Sequence, residues 1–135
     1  MIPDFKSLTE RVCKHEGYEP KPYQCSEGGW TIGHGLTYIT ERESKDITAQ
    51  RLSQLHIKYH DNQEWYADLP PKVKEVLIEM AFQMGYSGTL KFKKMIAAMK
   101  NKDWKCASDE MKDSKWYRQT PSRCKELADI VREHG

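Results

Sequence analysis

No apolar run in the 135 residues approaches the ~20 that a membrane-spanning helix needs, so no membrane insertion is expected. The opening Met1-Ile2-Pro3-Asp4-Phe5-Lys6 lacks the basic segment and apolar stretch of a signal peptide, which implies synthesis in the cytoplasm. Cysteine is scarce. Cys13, Cys25, Cys106 and Cys124 are irregularly spaced with no CxxC pair, which argues against a zinc knuckle or a disulfide scaffold and favours reduced thiols. An excess of one charge is also missing. Twenty-two basic against 20 acidic side chains leave +2, too little for a dedicated nucleic-acid binder. His56 and His60 stand at i, i+4 with no evident third ligand, so no metal is expected, and no organic cofactor is implied either.

What is present suits one compact α+β domain, residues 1–135. The chain is 38% apolar and 31% charged, enough to build a core. Phe5, Leu8 and Val12 recur at helical spacing and Gly17 ends that helix, placing Glu16 in its last turn. From Tyr18 to Thr40 the composition changes to prolines, glycines, aromatics and β-branched residues. Ser26-Glu27-Gly28-Gly29 reads as a hairpin turn and Trp30-Thr31-Ile32 as the start of a second strand. The rest reads as helix. Thr48 to about Tyr66 forms a connecting helix, and the stripe Val73, Val76, Leu77, Met80, Ala81 and Met84 ends at Gly85. Further helices are expected around Leu90–Met99 and Trp104–Met111, and a last one after Thr120-Pro121, with Thr120 as its N-cap. These segments divide into a helix and β lobe (1–47), a connecting helix (48–66) and a helical lobe (67–135). Basic residues dominate the second half and acidic ones the first. This reads as a solvated lysine-rich surface that can attract an anionic polymer.

The chemistry concentrates between His15 and Gly35. Glu16 sits at a helix C-terminus, where the peptide dipoles place partial negative charge that favours the protonated acid a proton donor needs. Across the hairpin, the Cys25 thiol and Thr31 hydroxyl converge on one water if the strands pair as read. A proton donor on one side and a water-positioning pair on the other is the layout of inverting glycoside hydrolysis.

At these residues the sequence resembles the phage lysozymes of glycoside hydrolase family twenty-four. That signature is Glu, eight residues, Asp or Cys, five residues, Thr, then Ile-Gly-x-Gly. Glu16, Cys25, Thr31 and Ile32-Gly33-His34-Gly35 match it. Ala81-Phe82-Gln83-Met84-Gly85 and the run from Ser114 to Arg123 are similar to the helical lobe of the T-even type. The resemblance implies a lysozyme-like fold, with a small β-hairpin lobe and a larger helical lobe flanking a glycan cleft. It implies Glu16 as proton donor, Cys25 at the position usually held by an aspartate that assists the attacking water, and Thr31 holding that water. Phe82 and Gln83 match cleft-lining positions, and Arg123 an arginine that pairs with the catalytic glutamate. Thr37, Met95 and Glu110 align with glycan-contacting positions but differ in residue type. Gly35 belongs to a glycine-rich backbone that a sugar can approach, and His34 beside it is a supporting candidate. A thiol is mostly protonated at neutral pH whereas an aspartate is ionised, so Cys25 orients water better than it acts as a base.

The activity implied is hydrolysis of the β-1,4 bond between N-acetylmuramic acid and N-acetylglucosamine in bacterial peptidoglycan, with inversion, by a monomeric phage endolysin. Such an enzyme reaches the periplasmic wall after a holin-type membrane lesion. Two alternatives keep the polymer and change the chemistry. A lytic transglycosylase closes the sugar's own hydroxyl onto the anomeric carbon, and a Cys25-dependent amidase or peptidase cuts the peptide stems. A binding module that has lost catalysis is a third.

Overall fold

The structure, a computed structural model, describes residues 2–25 and 28–135. The turn expected at Ser26 and Glu27 lies outside them. The chain divides into two compact units, residues 1–46 and 47–135.

The first unit opens with α1 (Phe5–Glu16). Asp4 caps it, accepting the Ser7 backbone N–H at 3.2 Å and the Ser7 hydroxyl at 2.9 Å, which holds its carboxyl below the usual value. Gly17, at φ 72°, ends it and donates its N–H to the Cys13 carbonyl. Two antiparallel strands follow, β1 (Glu19–Gln24) and β2 (Trp30–Gly33). Thr31 faces Tyr23 and Trp30 faces Gln24, but Glu19 faces Gly33, so β1 carries extra residues between Glu19 and Tyr23. Pro20 and Pro22 lie there. Neither can donate to a ladder, and a bulge is where a strand tolerates them. A reciprocal pair of hydrogen bonds between Ile32 and Leu36, 2.8 and 3.0 Å, then closes a tight turn over Gly33, His34 and Gly35.

The next helix, α2 (Glu41–Asn62), begins seven residues before the expected Thr48 and ends before Tyr66. Its start is a capping box. The Thr40 hydroxyl accepts the Glu43 N–H, and Glu43 accepts the Thr40 N–H at 3.0 Å, which lowers the Glu43 carboxyl's pKa. The boundary between the units falls inside α2.

In the second unit a short 3₁₀ turn (Glu64–Tyr66) leads to α3 (Pro71–Met84), α4 (Tyr86–Leu90), α5 (Lys93–Lys100), α6 (Trp104–Lys112), α7 (Lys115–Gln119) and α8 (Pro121–His134). The expected stripe of α3 is buried from Val73 to Ala81. It packs with Met95, Met99, Met111, Leu127 and Val131, while Tyr59 and Tyr66 stack at 5.0 Å. The Leu90–Met99 segment is two helices rather than one, with Phe92 at the junction. Thr120 does not cap α8 with its side chain. Its hydroxyl is spent elsewhere, on Gln83 and the Trp116 carbonyl. Cys106 and Cys124 are free thiols; Cys124 is buried, donates to the Met111 carbonyl, and burial pushes its pKa up to about 11.

Candidate active site

Glu16 is the last residue of α1, and Gly17 turns the chain immediately after it. Its carboxyl lies against the Ile32–Leu36 turn. A Cβ built on Gly35 would stand only 2.7 Å from Glu16 Oε2, and Gly35 itself has φ +78°. Only glycine combines that backbone conformation with that approach. One residue earlier, the His34 ring lies 5.3 Å from the ring of Tyr18.

Cys25 directly follows β1. Its N–H donates to the Gly29 carbonyl at 2.7 Å, and its carbonyl accepts the Gly28 N–H at 3.0 Å. Because Tyr23 faces Thr31, and Cys25 lies two residues beyond Tyr23, the alternation of an extended hairpin puts Cys25 and Thr31 on one face. They are diagonal neighbours, a relation that typically separates Cα atoms by about 7–8 Å. The Cys25 sulfur would sit 3.5 Å from a Cβ on Gly29, the residue that precedes Thr31 by two. Thr31 is buried, whereas Trp30 and Ile32 on the other face are exposed. Thr37 is exposed in the segment before α2.

In the second unit, Glu79 and Gln83 stand one helical turn apart on α3. Arg123 Nε donates to Glu79 Oε2 at 2.8 Å. The Trp116 indole N–H donates to Gln83 Oε1 at 3.0 Å, and the Gln83 amide donates to the Thr120 hydroxyl at 3.3 Å. Gln83 and Trp116 line a cavity of about 660 Å³ whose wall also includes Met95 and Glu110. Lys91, Lys93, Lys94 and Lys115 outnumber Glu110 and Asp113 around it. Phe82 is exposed and is not part of that lining.

The model of the phage lysozyme family matches residues 13–132, nearly the whole chain. The chain belongs to the phage lysozyme family. It is therefore a lysozyme, an enzyme that breaks down peptidoglycan. A probable T4-type lysozyme 1 of Dictyostelium discoideum is 25% identical, with 93% of each chain covered. A probable T4-type lysozyme 2 of the same organism is 38% identical over 48% of this chain and 38% of its own. The pre-baseplate central spike protein Gp5 of Enterobacteria phage T4 is 33% identical over 93% of this chain, which corresponds to only 27% of that longer protein.

In the enzyme, Glu16 and Gly35 come into contact, Cys25 and Thr31 share a hairpin face, and Gln83, Met95 and Glu110 line one cavity. Arg123 is found with Glu79, a partner not anticipated from the sequence. Glu79 lies four residues before Gln83, so helical spacing alone places it on the same face. Trp116 is buried and also orients Gln83. Tyr18, two residues after Glu16, meets the His34 ring, a contact that the sequence did not signal.

Proposed function

We propose that the enzyme hydrolyses the β-1,4 bond between N-acetylmuramic acid and N-acetylglucosamine, with inversion at the anomeric carbon. The observation that carries this reading is the hairpin geometry: a carboxyl held against the Gly35 backbone, and a thiol and a hydroxyl on one face of the same hairpin. Glu16 protonates the bridging oxygen as the bond breaks. Thr31 and Cys25 hold the water that attacks the opposite face of the sugar, Thr31 accepting or donating through its hydroxyl and Cys25 through a weakly polar sulfur. The residues assigned to the glycan are Gly35 and Thr37 in the first unit and Phe82, Gln83, Met95 and Glu110 in the second.

Digestion of purified sacculi in ¹⁸O-labelled water tests the reaction. New reducing ends carrying the label in the inverted anomer support hydrolysis as described. Unlabelled anhydro ends would identify a lytic transglycosylase, and intact glycan with cleaved stems would identify a Cys25-dependent amidase or peptidase. In the same assay Glu16→Gln lowers turnover by about 10²–10⁴-fold, the span usually contributed by a positioned general acid, while Cys25→Asp keeps activity.

The biological role we infer is that of a phage endolysin, acting as a monomer on the periplasmic wall after a holin-type lesion opens the inner membrane. The family match supports this. Among the described residues no helix is long and apolar enough to cross a membrane. Co-expression with and without a holin tests the role: lysis that is equally fast in both cultures would rule out the lesion as the route. Sedimentation of the purified chain reads its oligomeric state.

A further inference from the structure

We propose that His34 and Tyr18 are positioning residues: their ring contact clasps the Gly33–Gly35 turn to the end of α1 and thereby holds the Glu16 carboxyl in place. The proposal rests on the reading of Glu16 as proton donor.

A glutamate side chain at an exposed helix end has several rotatable bonds and nothing in its own helix to confine it. What confines it here is backbone: the bare Cα of Gly35 lets the carboxyl lie where another residue's Cβ would be. That contact is only as steady as the turn that presents Gly35. The two hydrogen bonds between Ile32 and Leu36 close the turn on itself, but they do not tie it to α1. The pairing of Glu19 with Gly33 ties it from the strand side, at the point where the β1 register slips.

A further tie, from the side of α1, is the ring pair. Tyr18 follows Glu16 by two residues and His34 precedes Gly35 by one, so each ring is a near neighbour in sequence of one partner in the Glu16–Gly35 contact. Their centroids, 5.3 Å apart and tilted by 40°, fall within the attractive range for aromatic side chains. Burial does not hold them together, because Tyr18 is largely exposed, and no apolar side chain among the described residues of 2–46 is buried.

Loss of either ring should therefore misplace the donor without removing any group that touches the glycan. On soluble peptidoglycan fragments, His34→Ala and Tyr18→Ala are each expected to lower kcat about tenfold or more and leave KM within about twofold, the mark of a displaced reacting group. His34→Phe, which keeps a ring, is expected to restore kcat to within about twofold of wild type, and the double Ala variant to be no worse than either single one. Amide hydrogen exchange at Leu36, whose N–H closes the turn, should quicken in His34→Ala and not in His34→Phe. Wild-type kcat and unchanged Leu36 exchange in His34→Ala would overturn the clasp. So would a His34→Phe variant as impaired as His34→Ala, since that result would assign the effect to imidazole chemistry. Glu16→Gln run alongside separates the two levels: if it turns over normally, the donor assignment fails, while the Leu36 exchange still reports whether the rings hold the turn.

Discussion

Residues 47–135 are built around apolar side chains withdrawn from water, Tyr59, Leu77, Met80, Met99 and Val131 among them, whereas the one buried residue described in 2–46 is a threonine. The two units order their side chains by different means. The helical unit relies on burial, which is non-directional and scales with area. The hairpin unit relies on backbone hydrogen bonds, left-handed glycines and a ring contact. A two-stranded hairpin is marginal by itself in water. The residues matched to proton donation and water holding are all on that less supported unit. On the proposed assignment of the site, stability and the geometry of the reaction are carried by different residues.

The sharpest way to break that comparison is Leu77→Ala. Its side chain is fully buried in α3, so truncation should cost about 2–5 kcal/mol, read as a fall in Tm, while activity at low temperature stays near wild type. If activity falls in proportion, the two properties are not separable. Gly35→Ala should do the reverse. The new methyl meets the Glu16 carboxyl and the backbone pays about 1–2 kcal/mol at φ +78°, so turnover should drop about tenfold to a hundredfold while the core's unfolding transition moves little.

Those two positions also show how unevenly the molecule could be read from its residues alone. The α3 stripe was legible because six apolar residues repeat at the helical period and end at a glycine. Glu16 was legible through its signature spacing, and Gly17 marked the end of α1. The start of α2 was not, because Glu41 to Asp46 are charged or polar and show no apolar period. The signal lay instead in Thr40 and Glu43, a capping box. The burial of the Phe5, Leu8 and Val12 stripe was not legible either: the period predicts the helix, and yet Phe5 and Val12 are exposed. Glu79 and Arg123 are 44 residues apart in sequence, and only the packing of α3 with α8 brings them together.

Two smaller effects sharpen the contrast. Thr40→Ala removes half of the capping box and should cost about 1 kcal/mol, seen as faster amide exchange confined to the first turn of α2. A uniform change across α3 and α8 would instead mean that this cap supports the core. Last, hydrogen bonds from Lys125 and Lys112 hold the Asp129 carboxyl below its ordinary value of 3.8. A carboxylate whose folded pKa is lowered contributes stability that is fully present above its unfolded value and disappears as pH falls through the folded one. Asp129→Asn should therefore flatten the acid limb of Tm below pH 3.8 by a small amount and leave neutral-pH turnover unchanged.

The indole of Trp116 offers a consequence of a practical kind. It sits within the wall of the large cavity and is tethered through its N–H to Gln83, whose other end is tethered to Thr120. A glycan fragment that captures Gln83 must loosen that tether and alter the polarity around the indole. Occupancy of the cavity should thus be visible as a change in intrinsic emission, giving a titration signal that needs no bond to be cut.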